Sequence, residues 1–160
     1  MSLGVGETGG IEVAKEDQFI KKYHKAMVIA TRDQLEKVKP RIASEWIKEW
    51  MSYLGGQITD GEEFRAKFEE FLTDELGFAD TTRVSIRGDE LTIDVGGCAI
   101  CPGNELLRQA GEPTLCPILS TGLKAISRVL GKRATLLGAD KEGKPVGYCT
   151  IKYKLADKGA

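Results

Sequence analysis

The chain reads as an α+β domain in which N-terminal helices pack on an antiparallel sheet, with a further helix between two hairpins. Three observations predict this. Apolar residues recur at helical spacing as far as Gly77, the period shortens to two after Asp80, and turn signals at Gly88-Asp89 and Asp140 to Pro145 divide the later strands.

The elements follow in order. Between Glu16 and Lys39, Phe19, Tyr23, Met27 and Leu35 form one apolar face of a long amphipathic helix, which Pro40 is expected to end because the residue before a proline leaves the helical region. A second helix is expected from Ile42 to Leu54, with Ile42, Trp46, Trp50 and Tyr53 as its stripe and Gly55-Gly56 as its stop. Asp60, with Glu63 three residues on, opens a third helix whose Phe64, Phe68, Phe71 and Leu72 face one way. Val84 and Ile86, then Leu91, Ile93 and Val95, alternate with polar residues about Gly88-Asp89 as a hairpin does. A short helical piece near Asn104 to Gln109, a helix from Pro117 to Leu130 and strands at about 133–138 and 146–155 complete the chain. Residues 1–10 are expected to be a disordered leader and 11–160 one domain, with 91–155 as its metal-binding half.

Composition narrows the function. With 160 residues, 29% charged and 41% apolar, the chain has the balance of a globular domain. A net charge of −1 gives no basic field for direct nucleic-acid binding, and no run of about 20 apolar residues suits a membrane. The opening residues lack the apolar core of a secretory signal, so a cytoplasmic, reducing location is expected.

Four cysteines carry the chemistry: Cys98-x-x-Cys101, then Cys116, then Cys149. A Cys-x-x-Cys knuckle lets two thiolates reach one ion while distant segments supply the other corners of a tetrahedron. Each segment has a turn-former beside it: Gly96-Gly97, Pro102-Gly103, Pro117 and Gly147. Zinc is the first choice. An iron–sulfur cluster is the alternative, since Cys101-Pro102 and Cys116-Pro117 have a ferredoxin-like look, though the compact bacterial cysteine run is absent. A redox pair at Cys98/Cys101, or four unconnected core thiols, are the other readings. Four thiolates would close the zinc sphere, which makes such a site structural.

No catalytic residue is assigned. The one histidine, His24, lies in the Lys-rich stretch Lys21 to Lys25 and is expected at the surface, which leaves a cysteine nucleophile without a base. No Gly-rich phosphate loop follows a strand. The aromatics Trp46, Trp50, Phe64, Phe68 and Phe71 read either as plain core or, with Tyr148, as the wall of a ligand pocket.

Cys116 followed by Gly122, Asp140 at a strand end, and Gly147 before Cys149, Ile151 and Tyr153 make a pattern from Leu91 to Tyr153. It resembles the 4-vinyl reductase domain family, a small-molecule-binding domain found alone in many archaeal and bacterial proteins and at the front of phenol- and xylene-responsive activators. The resemblance implies a structural zinc, held in the phenol-sensing relatives by three cysteines and an acidic residue, beside a buried hydrophobic ligand pocket. This chain lacks the family's middle cysteine between Asp140 and Gly147, which favours Cys98, Cys101, Cys116 and Cys149, with Asp140 in reserve. The expected function is therefore a zinc-stabilised sensor or carrier of a small hydrophobic molecule, working as a homodimer. A redox or iron–sulfur protein using Cys98 and Cys101 is the alternative, and a purely structural interaction module the third possibility.

Overall fold

Apolar side chains at every second position make one face of a sheet, and the computed structural model places four strands there: β1 (Ala79–Arg87), β2 (Glu90–Cys98), β3 (Lys132–Asp140) and β4 (Cys149–Asp157). It describes residues 3–159, with side chains from Asp17 onward. The strand order is β1-β2-β4-β3 and every pairing is antiparallel. Val84, Leu91, Ile93, Val95, Cys149, Ile151, Tyr153 and Leu155 turn inward from the sheet and are buried. Facing them are α2 (Leu35–Leu54), α3 (Gly61–Glu70) and α5 (Pro117–Ala125); α3 and α5 run on through π-helical turns at Phe71–Leu76 and Ile126–Leu130. The α+β architecture is as the periodicity predicts.

Local chemistry explains the boundaries. Asp60 caps α3 by accepting the Glu63 N–H at 2.8 Å, and Gly55 and Gly77 end their helices at φ +79° and +56°, conformations in which a side chain would be strained. The edge of β1 is covered from α3: Glu69 Oε1 accepts the Val84 N–H at 2.9 Å and Arg65 donates to the Val84 carbonyl at 3.2 Å. Those groups would otherwise be a template for another strand.

The first helices differ from expectation. α1 runs Leu3–Ala30, so it takes in most of the stretch expected as a leader; Met1 and Ser2 lie outside the described residues. The break then falls at Thr31 and a 3₁₀ turn at Arg32–Gln34, while Pro40 sits inside α2. Pro40 forfeits a single bond to the Glu36 carbonyl, and burial of Ala43, Ile47 and Trp50 beneath the same helix outweighs that loss. Tyr53 is exposed, so the stripe of α2 centres on Ala43, Ile47 and Trp50. On α1 the packed face is His24 and Val28, and Phe19 and Tyr23 stack on each other in solvent at 5.8 Å. α4 (Cys101–Gln109) receives that packed face, with Val28, Leu35, Leu107 and Leu115 as a second small core. Among the described residues no helix is long and apolar enough to cross a membrane.

Candidate metal centre

The four cysteines occupy element ends. Cys98 is the last residue of β2, and its N–H donates to the Gly147 carbonyl at 2.9 Å, which holds the strand end against the loop that leads to Cys149. Cys101 is the first residue of α4, followed by Pro102 at a position where a missing N–H costs nothing. Cys116 is the N-cap of α5, before Pro117, and Cys149 opens β4 opposite Val95.

A phenol and a glycine bring the last two thiols into one neighbourhood. Tyr153, two inward positions along β4 from Cys149, is fully buried and donates from its hydroxyl to the Leu119 carbonyl at 2.9 Å, with the Ile118 carbonyl at 3.3 Å. The ring fits because Gly122 has no side chain: a Cβ there would stand 2.2 Å from the Tyr153 oxygen and 2.3 Å from the carbon that bears it. Gly122, read from the sequence only as a motif position, is thus the contact that lays α5 upon β4.

Charge couples the sulfurs. The Cys98 thiol donates to Cys101; that bond, opposed by burial and helped by Lys141 and Arg108, brings Cys101 down to about 6. Cys98 is pushed well up by the same bond and then by burial. Burial also raises Cys116, against the pull of the Leu119 and Ile118 N–H groups, which form no full cap hydrogen bond with it. Cys149 rises to about 11 by burial and then by the negative charge of Cys101 and Cys116, with Lys141 and Lys144 opposing. Tyr153 is raised by burial, and Cys116 and Cys149 add to it. These shifts favour the thiolate at Cys101 and the protonated thiol at Cys98, Cys116 and Cys149, and a divalent cation would act against them by displacing protons.

Among the described residues no three His, Cys, Asp or Glu side chains stand together as a ready-formed ion site. The donor set is nevertheless chemically suited to a soft or borderline cation: four thiols from three segments, with Cys101 interacting with each of the other three. Asp140 is occupied elsewhere, accepting the Glu142 N–H at 3.0 Å in the turn after β3. Residues 141–148 link β3 to β4. This loop borders a cleft of about 520 Å³ that reaches Cys98, one of about 290 Å³ at Cys101 beside Arg108 and Lys141, and one of about 770 Å³ at Cys149.

The aromatic residues divide. Trp50 stacks on Phe71 at 4.8 Å and meets Phe68 and Phe64 at 5.7 and 6.3 Å, all four buried in the main core, with Trp46 packed against its margin. Trp50 and Phe71, with Tyr53, Leu54 and Ile58, floor an outer groove of about 510 Å³ rimmed by Glu63, Glu70 and Glu75. Tyr148 is not among these rings; it lies across the sheet against Gly96 and borders the clefts at Cys101 and Cys149.

His24 is buried, where the sequence predicts a surface residue. It is 5% exposed and hydrogen-bonded to Asn104, because the lysines around it occupy the other sides of α1. Asn104 and Lys141 are not legible as functional residues in the sequence, because an Asn one helical turn after a cysteine, and a Lys just past a strand end, carry no local signal. Compared with family models, with curated proteins and with solved structures, the chain matches none.

Proposed function

We propose that this chain is a zinc-stabilised domain of the 4-vinyl reductase kind, cytoplasmic and homodimeric, that binds a small hydrophobic molecule as a sensor or carrier. The observation that supports the metal part is the electrostatic linkage of Cys101 to Cys98, Cys116 and Cys149, thiols that come from a strand end, two helix starts and a second strand. Zinc, when bound, would supply the positive charge that lets four thiolates, two of them buried, coexist. The residues would then tie the β2 end, α4, α5 and β4 together, so metal serves structure, and ligand binding falls to the aromatic-floored, acid-rimmed groove at Trp50 and Phe71.

Elemental analysis of purified protein tests this. One zinc per chain is expected, and Cys116→Ser should hold less than one equivalent and melt earlier. A protein without zinc, or Cys116→Ser with unchanged metal content, refutes the site. Absorption in the visible would instead identify an iron–sulfur centre.

One observation favours a second reading, a redox protein built on Cys98 and Cys101. Cys101, held down to about 6 by the Cys98 thiol, has the character of an attacking thiolate with its resolving partner in contact. Mild oxidation should then form a Cys98–Cys101 disulfide that dithiothreitol reverses; free thiols after oxidant treatment would remove this reading.

A further inference from the structure

One turn into α4 from Cys101, the Asn104 side chain is 2% exposed and makes three hydrogen bonds. Its Oδ1 accepts the Leu115 N–H at 3.1 Å and lies 2.8 Å from His24 Nε2, while its Nδ2 donates to the Leu115 carbonyl at 3.0 Å. Leu115 immediately precedes Cys116. Binding both the N–H and the carbonyl of one residue settles the orientation of the amide, because a flipped group would set donor against donor and acceptor against acceptor. With Oδ1 so fixed as acceptor, His24 Nε2 must be the donor and carry a proton. Gly103 makes room for that ring: a Cβ there would stand 2.9 Å from His24 Cδ2 and 3.0 Å from the Lys21 carbonyl.

We propose that Asn104, oriented by Leu115 and braced by His24, is the positioning residue that fixes Cys116 relative to Cys101. Residues 112–116 belong to no helix or strand, so Leu115 has no ladder or helix partner of its own. The Asn104 amide stands in for that partner and clamps the backbone just before Cys116 to the first turn of the helix that begins at Cys101. His24 extends the clamp to α1, so two helices and the segment leading into α5 share one buried polar contact. The use of the fixed spacing rests on the zinc reading; the spacing itself does not.

The test is the rate at which N-ethylmaleimide alkylates Cys116 and Cys149 in reduced, metal-free protein, mapped by peptide mass spectrometry. Asn104→Leu should raise the Cys116 rate roughly tenfold, as expected for loss of buried hydrogen bonds, and leave the Cys149 rate unchanged. Zinc affinity should fall roughly tenfold to a hundredfold, the usual effect of losing a residue that orients a ligand. His24→Leu should give a smaller rise, and His24→Gln, whose amide can still donate, should restore the original rate. If Asn104→Leu fails to fold, the two His24 variants decide. A Cys116 rate that stays unchanged, or one that rises in step with Cys149 as general loosening would make it do, overturns the assignment. Selective exposure of Cys116 in a protein that never binds zinc would remove the metal reading and leave the positioning role standing.

Discussion

Replacing Gly122 by alanine puts one methyl group where the Tyr153 hydroxyl and ring already are. The new Cβ would lie 2.2 Å from the oxygen, 2.3 Å from the adjoining ring carbon and 2.8 Å from the next, all far inside contact distance. Tyr153 is fully buried in the centre of the sheet, so it cannot swing into solvent; either α5 lifts or the ring moves off its rotamer. Overpacking of this kind costs about 1–3 kcal/mol. Losing the 2.9 Å bond to the Leu119 carbonyl adds about 1 kcal/mol. The total, roughly 2–4 kcal/mol, corresponds to a fall of roughly 5–15 °C in Tm for a chain of this size. Urea and thermal unfolding by circular dichroism read the loss, and zinc competition reads its consequence, because lifting α5 carries Cys116 away from Cys149. Tyr153→Phe should not rescue the variant, since the ring carbon still collides, whereas Tyr153→Leu should recover part of the loss, a non-additivity expected of residues in contact. Gly122→Ala with wild-type stability would refute the claim that this glycine seats α5 on β4.

In reduced, metal-free protein, Cys101 should alkylate with a pH midpoint near 6, and Cys149 with one near 11. Since folding lowers Cys101 from 9.0, its contribution to stability is full above about pH 9 and is lost as pH falls through about 6; an ordinary thiol midpoint at Cys101 would contradict the Cys98 hydrogen bond. Asp60→Ala removes the cap on the Glu63 N–H and should cost about 1 kcal/mol in urea unfolding; an unchanged midpoint would mean that water replaces the cap. Glu69→Ala frees the Val84 N–H at the edge of β1, which should lower stability by about 1 kcal/mol and raise self-association in light scattering. Scattering that matches wild type would show the edge is protected by something else.

Much of the fold is legible because its signals are local. The period change near Asp80, the Asp60 cap, the Gly55 and Gly77 stops and the proline beside Cys116 each act within a few residues, and the structure has elements there. What is not legible depends on partners far along the chain. α1 offers two faces: Phe19 and Tyr23, apolar and exposed, and His24 with Val28, buried. Hydrophobicity favours the first, but Asn104, 80 residues away, supplies a hydrogen bond that only the second can use. Pro40 misleads for a related reason, since its local penalty is visible and the packing of Ala43 and Ile47 that outweighs it is not.

The cysteines divide along the same line. Their number and spacing are in the sequence, yet their chemistry is set by which thiol donates to which, and that follows from Cys98 ending a strand while Cys101 begins a helix. Likewise the interval from Cys116 to Gly122 can be seen as a pattern, but its cause is Tyr153 on another element. Six residues from the N-cap is where α5 crosses the Tyr153 hydroxyl, and Cys149 is one further step along the same face of β4 beyond Ile151. A glycine needed for close packing and a thiol needed at the helix start thus keep a fixed interval because both answer to the register of one strand. On that account, moving Gly122 by one position should disturb the two thiols as much as removing either.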